Sequence, residues 1–125
     1  MRGDDIPYYT VLDGKETDLV EIPSKWELDY YVAQAYSVYP AEPAGLDRIS
    51  CYRNVQDNDL REFRGYYDMG LCIAFLMHPQ ISGAPGRNLV LEEVLKEVTS
   101  HKDVWVATGS EVAEYWRKAH PRKED

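Results

Sequence analysis

The sequence predicts an α/β fold in which short parallel strands are covered by helices. Two apolar runs, residues 71–77 and 104–107, contain no charged side chain, as expected of strands buried on both faces. Segments with helical periodicity precede, separate and follow these runs. Alternation of helix and buried strand is typical of parallel sheets with right-handed crossover connections.

The elements of the first half are short and are separated by prolines. Residues 8–12 and 18–22 have the composition of strands, and Asp13-Gly14 between them is a turn signal. The two segments therefore predict a hairpin or two consecutive short strands, which end at Pro23. Residues 26–39 are compatible with a short helix or with irregular structure. Residues 41–45 predict a loop.

The second half has clearer periodicity. Residues 57–68 predict a helix with Asp57 or Asn58 as the N-cap, and a loop follows the first apolar run. Asn88 is the expected cap of a helix whose apolar positions are Leu91, Val94, Leu95 and Val98. After the second apolar run, residues 108–110 predict a turn with a capping residue, and residues 111–119 a final helix that stops before Pro121.

Composition limits the chain to one domain, residues 1–125. It has 125 residues, 44% of them apolar, which suffices for a packed core. With 14 basic and 22 acidic residues the formal charge is −8, and the basic residues near the C-terminus form no stripe. Such a surface repels phosphate backbones, so the sequence argues against nucleic-acid binding.

The cysteines and the N-terminus indicate the compartment. Cys51 and Cys72 are 21 positions apart without a CxxC spacing, which favours two buried thiols over a disulfide or a structural zinc site. The N-terminus has no apolar signal region, and the longest apolar run is too short to cross a bilayer. We therefore expect a cytoplasmic protein without membrane attachment.

His78 is the first candidate for chemistry, because polar residues at the C-terminal ends of parallel strands commonly form active sites. It directly follows the apolar run 71–77. Histidine exchanges protons near neutral pH, so it suits a general acid or base. A histidine that merely hydrogen-bonds a loop carbonyl fits the same position, and spacing alone does not decide between them.

Four further residues are candidates for substrate binding: Asp4, Asp5, Trp26 and Arg87. The adjacent aspartates could position a water, a substrate hydroxyl or a basic group, or could simply be solvated or cap a turn. Arg87 could hold a carboxylate of a ligand or of the protein itself. The three tryptophans, Trp26, Trp105 and Trp116, could line a sugar-binding cleft together with the ten tyrosines, although aromatic residues more often fill a core. The three histidines have no metal-ligand spacing.

Four passages, in this order and spacing, resemble the C-terminal part of the polysaccharide deacetylases, the NodB-homology superfamily. The passages are DDIPY from Asp4, IPSKWELD from Ile22, MHPQISG from Met77 with Arg87 after it, and VWVATGSEVA from Val104. They look most similar to the subgroup with peptidoglycan deacetylase-like and allantoinase-like members. The chain departs from that subgroup at Ala84, where an arginine is common, and at Tyr30, where a second aspartate is usual.

The resemblance implies the C-terminal half of a distorted (β/α) barrel, since 125 residues are about half of a typical barrel of ~250. In the family a divalent, zinc-like metal is held by an aspartate and two histidines from N-terminal motifs. Those motifs are missing here, so no cofactor is expected in this chain. His78 matches the histidine that protonates the leaving amine, Asp4 or Asp5 an aspartate pair near the cleft, and Arg87 the loop arginine.

The function implied is hydrolysis of a carbon–nitrogen amide bond in an N-acetylated sugar, with no activity expected from this chain alone. One alternative is a non-catalytic module that binds a partner or a saccharide. Another is part of an allantoinase-like hydrolase of cyclic amides. An incomplete barrel would also leave a strand edge open, which predicts a homo-oligomer or a chain whose edge is covered in some other way.

Overall fold

A computed structural model describes residues 4–35 and 50–122. The predicted loop at 41–45 lies outside the described residues. The elements in chain order are β1 (Tyr8–Leu12), β2 (Lys15–Glu21), a 3-10 helix (Trp26–Leu28), α1 (Tyr30–Gln34), α2 (Tyr52–Met69), α3 (Pro79–Ser82), α4 (Pro85–Ser100) and α5 (Gly109–Ala119).

The predicted hairpin is confirmed. β1 and β2 pair antiparallel, with Tyr9 opposite Val20 and Leu12 opposite Lys15, and a bulge falls between Tyr9 and Val11. The turn needs two consecutive residues at positive φ, and Asp13 (φ 50°) and Gly14 (φ 79°) supply them. The Asp13-Gly14 turn signal therefore predicted the position of this hairpin correctly.

The predicted parallel sheet is found only in part. Within residues 4–35 and 50–122, parallel pairing is limited to one bridge, between Asp29 and Leu76. Residues 71–77 and 104–107 form no regular strand, because a strand needs a neighbouring backbone and these segments find few partners in the described part of the chain. The architecture of the described residues is mixed α/β, and the expected half barrel of several parallel strands stays a prediction.

The core lies between α2 and α4, which pack against each other. One cluster of buried side chains joins Tyr30, Val55 and Val90. A second joins Phe63, Val94 and Val98, and partly buried side chains pack against it, including Ile73, Phe75 and Val104. Both apolar runs predicted as strands therefore pack on these two helices.

Three helices begin earlier than the sequence predicted, and for α5 the difference is two residues, since it starts at Gly109. α2 starts at Tyr52, so Asp57 and Asn58 lie inside it, and it ends at Gly70, whose φ of 66° is left-handed. α4 starts at Pro85, and proline suits this position because amide hydrogens in the first turn have no partner within the helix. Asn88 therefore lies inside α4 and is not its cap.

The start of α5 is capped as expected. The Thr108 hydroxyl oxygen accepts from the Glu111 amide at 3.3 Å, and the Glu111 carboxylate accepts from the Thr108 amide at 2.7 Å. This capping box lowers the pKa of Glu111, chiefly through the backbone hydrogen bond. The polar residues after the second apolar run are thus used to begin a helix.

The structure also describes both cysteines and the apolar character of the helices. Both thiols are free; Cys72 is half-buried, and burial raises its pKa. Cys51 is exposed, so the expectation of two buried thiols was wrong for this residue, which precedes α2 at the surface. None of the helices within residues 4–35 and 50–122 is long and apolar enough to cross a membrane.

Candidate functional site

His78 and Asp29 meet where two chain segments run side by side. The Leu76 amide donates to the Leu28 carbonyl at 3.0 Å, and the Tyr30 amide donates to the Leu76 carbonyl at 3.1 Å. This parallel bridge brings the residues that follow each segment to the same end. There His78 Nε2 lies 2.9 Å from Asp29 Oδ1.

Asp29 is fixed by the beginning of α1. Its side chain caps that helix, since Oδ1 also accepts from the Tyr31 amide at 2.8 Å. Asp29 is 6% exposed, which strengthens its hydrogen bonds relative to those of a solvated carboxylate. The Tyr31 ring meets the His78 ring edge-on, with centroids 5.4 Å apart.

The His78 backbone is fixed by the beginning of α3. The His78 carbonyl accepts from the amides of Ile81 (2.8 Å) and Ser82 (2.7 Å), and the Ser82 hydroxyl oxygen accepts from the His78 amide at 3.1 Å. Pro79 stands at the first position of α3, where its fixed φ suits the helix. Backbone and ring are therefore both held before any ligand arrives.

This pairing determines which ring nitrogen can act. An ionised carboxylate only accepts hydrogen bonds, so a neutral His78 carries its proton on Nε2, toward Asp29. Nδ1 then keeps a lone pair, and no other residue in the described part of the chain bonds to it. The His78 side chain is 28% exposed, so the ring is open to a ligand. The arrangement is that of a histidine acid or base oriented by a carboxylate.

Sequence reasoning missed Asp29 as a site residue. The partner of His78 was left open, with a loop carbonyl as one reading, whereas the structure provides a carboxylate. The available signal was the segment from Ile22 to Asp29, which carries part of the family resemblance and ends on an aspartate at the start of a short helix.

Trp26 lies beside Asp29 in an open cleft of about 240 Å³ between the α1 region and α2. The cleft is also lined by Asn54, Asn58 and Val55. Trp26 is 54% exposed, so its ring is available to a ligand rather than used in the core. Its role in binding substrate stays a prediction.

Asp4 and Asp5 lie at the other end of the segment that His78 follows. The Asp5 carbonyl accepts from the Cys72 amide at 3.0 Å, six positions before His78 in the chain. The Asp5 carboxylate bonds Lys25 Nζ at 2.9 Å and the Tyr66 hydroxyl at 3.1 Å, and these hydrogen bonds, Lys25 first, lower its pKa. Within residues 4–35 and 50–122 no hydrogen bond or ion pair joins these aspartates to His78, and their predicted role in binding stays a prediction.

Arg87 supports the loop after His78. Its Nη1 donates to the Ile81 carbonyl at 3.0 Å, and no carboxylate among the described residues pairs with it. Its Nε is buried without a hydrogen-bond partner in the described part of the chain. The contact ties α4 to α3, and the predicted contact with a substrate stays a prediction.

A second polar pair lies inside the core beside this site. The Tyr30 hydroxyl donates to Asp59 Oδ2 at 2.6 Å, and both residues are 1% exposed. Burial raises the pKa of Asp59, and the hydrogen bond from Tyr30 opposes that rise. Burial, then Asp59, also raises the pKa of Tyr30, so its hydroxyl remains a donor.

The described residues do not fit a metal ion. Within residues 4–35 and 50–122 no group of three or more histidine, cysteine, aspartate or glutamate side chains is placed to hold one. His101 packs on Tyr67 with centroids 4.5 Å apart, and His120 stacks on Trp116 at 4.0 Å. We therefore derive no chemical step through a metal from these residues.

Comparison with known sequences finds a deacetylase. The chain is 28% identical over 115 residues to the peptidoglycan deacetylase of Helicobacter pylori, a match that covers 90% of this chain and 38% of that protein. No protein family model matches the chain.

Comparison with solved structures agrees. A Mycobacterium smegmatis protein assigned to the polysaccharide deacetylases has a TM-score of 0.76 and 32% identity, over 97% of this chain and 41% of that one. The PuuE allantoinase has a TM-score of 0.75 at 19% identity, over 96% of this chain and 38% of that one, which shows a shared fold alone. The chain thus spans less than half the length of these proteins, and its resemblance to the polysaccharide deacetylases is confirmed.

Proposed function

We propose that the chain supplies the proton-transfer part of a polysaccharide deacetylase that hydrolyses the N-acetyl amide of a sugar polymer. His78 is the catalytic residue, and Asp29 positions it. The single observation that carries this proposal is the 2.9 Å contact between His78 Nε2 and the buried Asp29 carboxylate. The similarity to a peptidoglycan deacetylase and to a protein assigned to the polysaccharide deacetylases supports the substrate class.

In this proposal His78 supplies a proton during amide hydrolysis. Water adds to the amide carbon, the carbon–nitrogen bond then breaks, and the departing nitrogen needs a proton to leave as an amine. A His78 protonated at Nδ1 donates that proton and returns to the neutral form with Nε2–H directed at Asp29. A negative Asp29 stabilises the protonated ring before the transfer.

Activation of the attacking water is not provided by the described residues. A general acid alone adds little when the nucleophile is not activated, since amide hydrolysis needs both groups in one site. We therefore expect the 125-residue chain alone to release no acetate from N-acetylated chitooligosaccharides. Chelator-sensitive release by the chain alone would contradict this expectation.

Two alternative functions are each compatible with one observation. The open cleft beside the exposed Trp26 is compatible with a non-catalytic module that binds a saccharide or a partner. The fold shared with the PuuE allantoinase is compatible with part of a cyclic-amide hydrolase. Saccharide binding that needs Trp26 but is unchanged by replacing His78 would favour the first alternative.

An activated ester tests the acid–base competence of His78 without the rest of a deacetylase site. p-Nitrophenyl acetate is attacked by a free imidazole nitrogen, so the chain should hydrolyse it slowly through Nδ1 of His78. His78→Gln should abolish most of the protein-dependent rate. Asp29→Asn should lower it several-fold, because an amide orients and stabilises the ring less well than a carboxylate. The release of p-nitrophenolate is measured by its absorbance.

The matched controls are His101→Gln and His120→Gln, whose rings pack on Tyr67 and Trp116 instead of pairing with a buried carboxylate. Both should retain nearly the full rate. If His78→Gln hydrolyses the ester as fast as the unmodified chain, His78 is not the reactive histidine and the proposal is wrong.

A further inference from the structure

From Cys72 to Met77 the chain uses only one of its two backbone edges, whereas the preceding Leu71 amide donates to the Tyr66 carbonyl at the end of α2. Successive amides of an extended segment point to opposite sides, so residues of one parity share an edge. Cys72 donates to the Asp5 carbonyl, and Leu76 both donates to Leu28 and accepts from Tyr30. The even-numbered residues thus face the neighbouring chain segments.

The odd-numbered residues face the opposite side. Ile73, Phe75 and Met77 have no backbone hydrogen bond to any residue within 4–35 and 50–122. All three are partly buried, and Ile73 and Phe75 pack on the cluster around Phe63. Their backbone groups therefore form a fixed, unpaired strand edge, and an edge of this kind pairs readily with another strand.

We propose that this edge, formed by the backbone of Ile73, Phe75 and Met77, pairs with the same edge of a second copy of the chain. A two-fold arrangement centred on Phe75 places Phe75 opposite its counterpart and Ile73 opposite Met77 of the second copy. Because all three residues direct both backbone groups to that side, each opposed pair exchanges two hydrogen bonds.

Charge favours a second copy at this edge in spite of the net charge of −8. Residues 71–77 contain no acidic or basic side chain, so self-pairing places no like charges opposite one another. Val104 packs on the same cluster as Ile73 and Phe75, and the next two residues, Trp105 and Val106, are 56% and 73% exposed. Pairing through three residues of each copy is a small contact, which predicts a weak, concentration-dependent dimer.

Amide hydrogen exchange, read residue by residue at several protein concentrations, tests this inference, and sedimentation velocity gives the oligomeric state. The amides of Ile73, Phe75 and Met77 should become protected as the concentration rises, whereas Cys72 and Leu76 should be protected throughout. Ala74→Lys should weaken the dimer at least about tenfold, because a charge in a paired strand opposes association. Ala74→Ser is the neutral control and should dimerise normally.

The inference does not depend on the proposed function, and its failure would leave the role of His78 untouched. A chain that sediments as a monomer up to millimolar concentration would overturn it. Protection of the odd-numbered amides at every concentration would also overturn it, because that result would mean that another part of the same chain covers the edge.

Discussion

Replacement of Phe63 by alanine is expected to lower the free energy of unfolding by about 3–5 kcal/mol, the range for a buried phenylalanine. Phe63 is 2% exposed and fills the cluster between α2 and α4 with Val94 and Val98. Its ring also contacts Tyr67 and His101, with centroid distances of 5.9 and 5.3 Å. A cavity at this position removes those contacts, and a small domain has only about 5–15 kcal/mol of stability. Urea denaturation followed by circular dichroism measures the loss.

Met69→Ala is the matched control for Phe63→Ala. It truncates a large apolar side chain on the same helix, but Met69 is 73% exposed, so the change should stay within about 0.5 kcal/mol. If Phe63→Ala prevents folding altogether, Phe63→Leu provides the smaller loss that can be measured. Equal effects of Phe63→Ala and Met69→Ala would contradict the assigned core.

The second large effect is expected from Tyr30→Phe, which removes the only hydroxyl that bonds Asp59 Oδ2 among the described residues. A hydrogen bond to a charged group contributes about 1.5–3 kcal/mol, and Asp59 is 1% exposed, so water cannot replace the lost donor easily. We expect a loss of about 2–3 kcal/mol at neutral pH.

The loss in Tyr30→Phe should depend on pH with a definite sign. Burial raises the folded-state pKa of Asp59, so this group stabilises the fold fully below its unfolded pKa, and that contribution is lost as the pH rises through the folded pKa. The Tyr30 hydrogen bond lowers the pKa of Asp59, and its removal raises that pKa further. The difference between variant and wild type should therefore be small in acid and grow toward neutral pH.

Tyr31→Phe is the control for Tyr30→Phe, because Tyr31 is the adjacent tyrosine and is 50% exposed. Its stability should match that of the wild type at each pH. Urea denaturation at several pH values between acid and neutral gives the comparison. A Tyr30→Phe loss that is constant with pH would show that Asp59 does not titrate in the folded chain as its burial indicates.

The elements that could be predicted from the sequence are those set by local chemistry. Asp13-Gly14 defines the hairpin turn, and Thr108 with Glu111 defines the start of α5, because each uses side chains within a few residues. The start of α2 was predicted too late, since Val55 joins the helix through its packing with Tyr30 and Val90 rather than through a cap.

The parts that could not be predicted depend on distant partners. The apolar run at residues 71–77 has the composition of a buried strand, but a strand also requires a neighbouring backbone, which the described residues supply only near Asp5 and Leu28. The position of His78 was predictable from the end of that run. Its pairing with Asp29 was not, because the two residues are 49 positions apart in the chain.

The protonation of the His78 ring tests the central claim of an acid–base pair most directly. A long-range proton–nitrogen correlation spectrum, recorded where His78 is neutral, distinguishes a proton on Nε2 from one on Nδ1. We expect the Nε2–H form in the wild-type chain, because Asp29 accepts that proton, and a mixture of both forms in Asp29→Asn. A proton on Nδ1 in the wild type, or a ring state unchanged in Asp29→Asn, would contradict the pairing on which the proposed function rests.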